Sequence, residues 1–298
     1  MTFVKPSFPR LVEPSSLHFN DPTMTAEKEP IEYHSSPPAP ADEAALPIDP
    51  QIERRILRKL DWQVLPVLWL LFLASFVDRG NIGNAQIQGM DKSLHLTGNR
   101  YNIAVMVFTL AYVIFGVPAN IVFKLAGPKT LSIMMFIWGI LVIGQGFTRT
   151  YQGLVACRFL MGVFESGFVP GCAYLIGSYY KRNEFLRRYT VFFSAAVLAG
   201  AFNGLFATLL AMADGAGGLE GWRWIFIAEG IITSGLSILS FFFMVDFPEK
   251  TKMFTPEEKD ALLERLRQDR ENDGSAHDGR PVMKQILEAL LDWKIWHA

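Results

Sequence analysis

Six long apolar stretches separated by short polar joints constrain this chain more than any other feature of its sequence. They run over residues 63–89, 102–123, 131–148, 152–176, 189–212 and 222–245. Each is long enough, or nearly so, to cross about 30 Å of hydrocarbon as a helix. A backbone in hydrocarbon must satisfy its own polar groups, which leaves helices or closed barrels, and stretches of this length favour helices. The joints, at 91–100, 124–130, 148–152, 181–188 and 214–221, make neighbouring spans antiparallel hairpins. Charge agrees: between Trp62 and Val245, 184 of the 298 residues, lie only 19 of the 57 Asp, Glu, Lys and Arg. Ordinary soluble chains average about 25% charged residues, so this middle has too little polar side chain to cover a water-facing surface. The sequence excludes a soluble globular enzyme. It predicts an all-α membrane protein, a bundle of six transmembrane helices over residues 61–245 with the lipid bilayer as its first partner.

The flanks differ in kind. Residues 1–60 read as a disordered tail, because ten prolines fall among the first 50 residues with no periodic apolar face. No apolar signal segment opens the chain, since Lys5, Pro6, Pro9, Arg10 and Pro14 break it. Basic residues orient the bundle. Arg54, Arg55, Arg58, Lys59, Lys124, Lys129, Lys181, Arg182, Arg187 and Arg188 gather at the ends on the N-terminal side, against Lys92, Arg100, Arg149 and Arg223 at the other. This puts the N-terminus in the cytosol and, after six spans, residues 246–298 there too. In that last segment Thr255, Pro256 and Glu258 form a capping box ahead of Leu262, Leu263 and Leu266, which predicts a short amphipathic helix at the membrane interface. Leu60-Asp61-Trp62 recurs as Leu291-Asp292-Trp293. Parallel repeats relate the halves of many transporters, so the second copy would open a seventh span. A net charge of −1, with basic residues in short loops, argues against a nucleic-acid partner. Cys157 and Cys172 lie in one span about 22 Å apart, beyond disulfide reach, and read as packing residues.

Charge within a span is costly, so it is paired or faces water. Asp78, Arg79, Arg158 and Glu165 stand within spans, with Glu229 as a further acid. In the first span Asp78, Asn81, Ala85 and Gln88 follow the helical period and predict a polar stripe facing a cavity. The alternative is that Asp78 and Arg79 mark the outer end of a shorter span. In the fourth, Arg158 and Glu165 share a face about 10 Å apart along the axis, with Gly162 between them to let another helix approach. Their depths predict that Asp78 or Arg79 approaches Arg158, with Glu165 nearer the cytosolic side. The chemistry available is a carboxylate able to exchange a proton beside a guanidinium able to bind an anion, against the alternative of internal charge neutralisation. Tyr112, Gln145 and Asn203 are weaker cavity candidates, since such residues within a span are more often glue between helices. Glu229 reads as a buried structural acid, with a gate as the alternative, and Trp62, Trp222 and Trp224 as interfacial anchors. All five histidines, His18, His34, His95, His277 and His297, lie outside the spans. No intramembrane Ser-His pair, histidine metal site or cofactor is therefore expected.

Six motifs in order carry a resemblance: Asp61-Trp62; Asp78-Arg79-Gly80-Asn81-Ile82-Gly83-Asn84-Ala85; Arg158 through Glu165; Tyr180-Lys181-Arg182-Asn183-Glu184; Gly221-Trp222-Arg223-Trp224; and Asp246-Phe247-Pro248-Glu249. Over about Leu60 to Ala298 the chain resembles fungal members of the anion:cation symporter family of the major facilitator superfamily, such as the allantoate and nicotinate permeases. The resemblance implies one six-helix half of a major facilitator fold, in a protein importing a small organic anion, such as a monocarboxylate, by proton symport. It implies that Asp78 and Glu165 couple to protons and that Arg79 contacts the substrate, with Arg158 near them; from the residues themselves, Arg158, Asn81 and Tyr112 are further substrate-binding candidates. It also suggests the plasma membrane. One departure concerns the loop after the second span: in the superfamily's Gly-x-x-x-Asp-x-x-Gly pattern, aligned on Gly127, Lys124 replaces the acid and Asn120 the first glycine. The resemblance covers only one half of a twelve-helix carrier. A truncated gene model or fragment, a remnant that transports nothing, and a half that pairs with a second half or a full-length relative are the readings that follow. The alternative function is a non-transporting half-transporter acting as a membrane interaction or regulatory protein.

Overall fold

The computed structural model describes residues 49–272, and every regular element among them is helical. The tail before residue 49 and the second Leu-Asp-Trp, with its seventh span, lie outside the described residues. In chain order the elements are α1 (Pro50–Ala85), a widened turn at Gln86–Met90, α2 (Asp91–Ser93), α3 (Arg100–Ala126), α4 (Lys129–Gly146), α5 (Tyr151–Glu165), α6 (Phe168–Tyr179), α7 (Arg182–Ala211), a tight 3-10 turn at Ala216–Gly218, α8 (Gly221–Phe243) and α9 (Pro256–Asn272). Six helical segments are long and apolar enough to cross a membrane, with α5 and α6 forming one of them. That span breaks at Ser166 and Gly167 because Pro170, having no N–H, cannot bond the carbonyl four residues back.

α1 is the central helix, packed against α7 on one side and α8 on the other, while α3 pairs with α5 and α4 with α8. Its buried positions Leu60, Val64, Leu68, Phe72, Ser75, Asp78, Ile82 and Ala85 recur every three or four residues along one stripe. Small residues set the closest approaches. A Cβ on Gly162 would lie 2.5 Å from the Phe108 carbonyl oxygen and 2.9 Å from Ala111 Cβ, so α3 meets α5 at the glycine that the sequence marks for it. Gly139 and Gly230 do the same for α4 and α8: a Cβ on Gly230 would stand 2.7 Å from the Gly139 carbonyl oxygen. The outward faces carry Val113, Ile114, Val197, Leu205 and Phe242, all exposed, as suits lipid and not water.

Three expectations change at the helix ends. α1 begins at Pro50, capped by Asp49 Oδ1 accepting from the Gln51 N–H at 2.8 Å, so residues 50–60, read from sequence as tail, are helical. At 36 residues α1 is about 54 Å long, so it must project beyond the hydrocarbon. The capping box forms as expected, Thr255 Oγ1 accepting from the Glu258 N–H and Glu258 Oε2 from the Thr255 N–H. Its helix, however, docks on the projecting end of α1. Leu262 and Leu266 are buried in the same core as Ile56 and Leu60. Buried Arg265 bridges Glu53 of α1 and Glu184 of α7. Lys59 donates to both Glu258 oxygens at 2.8 and 2.7 Å, and this ammonium holds the Glu258 carboxyl below the usual range. Trp222, expected at an interface, is buried edge-on to Phe226 with its N–H on Glu220, whereas Trp62 is exposed.

Replacing Gly162 by leucine should force α3 from α5 and cost about 1–3 kcal/mol or more, as overpacking does. Gly200, with no atom within 4 Å of an added Cβ, should accept leucine with little change. Thermal unfolding of the two variants in detergent checks the contrast.

Candidate functional site

All four charged residues that the sequence places within spans one and four come together inside the bundle. Asp78, Arg158 and Glu165 are 1%, 2% and 0% exposed, and Arg79 is partly open. Successive residues of a helix point about 100° apart, so Asp78 and Arg79 reach different neighbours. Asp78 turns towards α4 and α8. Its carboxylate accepts from Trp138 Nε1 at 2.8 Å and from Thr233 Oγ1 at 3.2 Å. Arg79 turns towards α3 and α5. Its Nε donates to Glu165 Oε1 at 2.6 Å, and its guanidinium lies 4.8 Å from the centre of the Tyr112 ring, with Phe76 and Phe108 beyond. Ser75, one turn before Arg79, donates to the same Glu165 oxygen at 2.8 Å.

The expected approach to Arg158 is met in part. Asp78 and Glu165 both act electrostatically on Arg158, but no hydrogen bond joins them to it, and Arg79 takes Glu165 instead. Depth along a helix axis does not fix azimuth, and Arg79 has the longer arm on the α5 side. Arg158 Nε and Nη2 have no hydrogen-bond partner, and its guanidinium lies 5.8 Å from the Phe226 ring centre. Arg79 Nη2 and Glu165 Oε2 are buried and unpartnered as well. The ion pair therefore engages one nitrogen of Arg79 and leaves part of its fork open. An Arg fork suits a carboxylate because two parallel N–H groups match two oxygens.

The polar stripe of α1 divides. Asn81 is buried, its Oδ1 accepting from Asn84 at 3.3 Å and its Nδ2 unpartnered, while Gln88 is exposed beyond the end of α1. Asp78 and Asn81 are thus enclosed by protein and do not line an open cavity together with Gln88. Asn84 also donates to Asn203 Oδ1 at 2.7 Å, tying α1 to α7, and buried Gln145 donates to the Met161 sulfur, so both act as glue between helices. Tyr112 is at the site, under Arg79. In the loop that departs from the superfamily pattern, Lys124 sits 5.0 Å over the Tyr174 ring and Asn120 bonds back to Gly116 of its own helix. Ser75, Trp138 and Thr233 were not singled out in the sequence. The available signals were that Ser75 stands three residues before Asp78 on the same stripe, and that Trp138 carries an N–H in mid-span that needs an acceptor.

Residues 68–296 match the family model described as the Major Facilitator Superfamily. The chain belongs to this superfamily. Its sequence is 37% identical over 249 residues to the MFS-type transporter efuF of Hormonema carpetanum, covering 83% of this chain and 50% of that protein. It is 30% identical over 251 residues to the pantothenate transporter liz1 of Schizosaccharomyces pombe, covering 83% and 48%. The fold resembles a bacterial homologue of the human lysosomal transporter Spinster in an inward-facing, unoccupied conformation, with a TM-score of 0.58 at 21% identity over 69% of this chain and 48% of that one. The chain spans about half the length of these curated relatives. It is a multi-pass membrane protein of a transporter superfamily, not an enzyme.

Trp138→Phe should leave Asp78 with Thr233 as its remaining donor, at a cost of about 1–3 kcal/mol or more for a charged acceptor. Combined with Asp78→Asn the losses should be non-additive, since both remove one bond. Unfolding of the single and double variants in detergent measures the coupling.

Proposed function

We propose that the chain is the N-terminal half of a proton-coupled importer of small organic anions, such as monocarboxylates, of the kind represented by the fungal allantoate and nicotinate permeases. The observation that carries this reading is the half-used fork of Arg79: one nitrogen on Glu165, another buried and unpartnered. An incoming carboxylate competes with Glu165 for the guanidinium. A carboxylate that loses its cation in a poorly hydrated site is stabilised by taking a proton. Anion and proton then enter together with no net change of charge, which makes the loaded site no costlier to move than the empty one. Asp78, held by Trp138 and Thr233, is the second proton group, with Arg158 as the guanidinium facing it. Tyr112 completes the binding surface by packing against Arg79, and Asn81, enclosed beside Asp78 with its Nδ2 unpartnered, is a further binding candidate once the bundle opens.

The geometry favours coupling over mere neutralisation because two guanidiniums and two carboxylates that cancelled by pairing would not leave Arg158 without hydrogen bonds. Half the length of the relatives, together with the outward apolar faces of α3 and α7, supports a second six-helix half as the partner. Most of the apolar length of both helices is left unburied by the bundle. The basic excess at the end carrying α9 supports a cytosolic location for both termini, and the family resemblance supports the plasma membrane.

In the complete carrier, Glu165→Gln should abolish proton-driven uptake while substrate exchange persists, and loss of neither would reject the coupling role. Arg79→Lys should weaken binding about tenfold, since a fork becomes a point charge. Radiolabelled uptake and counterflow in vesicles read both. Uptake by the 298-residue chain alone would refute the need for a second half.

A further inference from the structure

Asp78 and Glu165 balance Arg79 and Arg158 in number, which leaves Glu229 as the unbalanced charge within the spans among the described residues. Glu229 stands on α8, is 3% exposed, and neither of its carboxylate oxygens has a hydrogen-bond partner. It lines a cavity of about 220 Å³ between α1, α7 and α8, whose walls include Leu70, Val77, Phe202, Phe206 and Ile232, with Thr233 as the other polar member. Leu70, Phe202 and Ile232 are exposed, so the cavity opens on the flank of the bundle. The charged groups bearing on Glu229 are Asp78 from α1 and Arg158 from α5, and α7 contributes the two phenylalanines. Thr233, one turn further along α8, already donates to Asp78. Thr233 thus lines the cavity beside Glu229 while its hydroxyl is turned to Asp78.

A bare carboxylate against an apolar wall costs several kcal/mol or more, and a structural acid would be expected to hold at least one donor. Arg158 could have supplied that donor, yet its Nε and Nη2 are unpartnered too. Two opposite charges within electrostatic reach, each lacking a hydrogen bond, form an arrangement that protonation changes cheaply.

We propose that Glu229 is a third proton site of this protein, whose charge state is set by its apolar wall and by the opposite charges of Asp78 and Arg158. Protonated, Glu229 is neutral against Val77, Phe202 and Phe206; deprotonated, its carboxylate offsets Arg158. The proton comes from and returns to solution, and no other reactant is needed. The inference deepens the proton-coupled reading of the same cluster, but its test reads the proton on Glu229 and not uptake, so the two fail separately.

The test is dicyclohexylcarbodiimide, an apolar reagent that modifies carboxyl groups only in their protonated form, applied to the full 298-residue chain in lipid nanodiscs. Peptide mass spectrometry should find the adduct on Glu229, forming more slowly as pH is raised. Glu229→Gln should lose that adduct. Asp78→Asn, which removes the neighbouring negative charge, should slow modification of Glu229 several-fold at fixed pH. An unmodified Glu229 in the wild-type chain after exhaustive reaction, or a rate independent of pH, overturns the proposal without recourse to any variant.

Discussion

Charge held out of water is the constraint on which the rest of this bundle depends. Each guanidinium or carboxylate moved into a low-dielectric interior loses hydration worth several kcal/mol even after relaxation, and only close, well-bonded partners return it. The helices are arranged accordingly. Gly162 lets α3 lie against α5, which brings Tyr112 and Phe108 over Arg79 and encloses its ion pair with Glu165. Gly139 and Gly230 let α8 lie against α4, which brings Trp138 and Thr233 to the same Asp78 carboxylate. The two adjacent charges of α1 are therefore served by two different helix pairs, and α1 is central because it must present one residue to each.

The ionic groups at the α9 end follow another logic. Asp61 receives Arg188 at 2.8 Å and the Tyr180 hydroxyl, Glu53 receives Lys181 and Arg265, and Glu258 receives Lys59. Most of these groups keep part of their surface in water, where a single pair contributes about 1 kcal/mol or less. Their effect comes from number and from Arg265, which is fully buried and ties α1, α7 and α9 together. A helix with an apolar side and a ring of matched charges is held on the bundle in register, so the membrane surface need not cover Leu262 and Leu266.

Much of this was legible in the sequence. A span in lipid obeys a length rule and a composition rule, so the six apolar stretches are evident by inspection. The capping box at Thr255 and Glu258 and the glycine at 162 are local devices whose meaning does not depend on the rest of the fold. Azimuth was not legible. Axial depth brings Asp78 near Arg158, yet whether Arg79 meets Arg158 or Glu165 depends on how α1 is rotated against α5, and one residue along a helix changes direction by about 100°. The docking of α9 was hidden for a related reason: an amphipathic helix declares an apolar side, but not whether lipid or protein will cover it. Trp222 was misplaced because an indole near the end of a span suits an interface and a buried site with a local acceptor equally well.

The central claim is that an anion displaces Glu165 from Arg79 and that the freed carboxylate takes a proton. Proton uptake on anion binding tests it most directly. The complete carrier, purified in weakly buffered detergent with a pH indicator, would be mixed with small carboxylates, nicotinate and pantothenate among them, while binding is followed in parallel. The account predicts that a carboxylate that binds draws protons from solution, close to one per anion, and that Glu165→Gln removes this uptake while binding remains. Saturable binding with no proton taken up by the wild-type protein would contradict it.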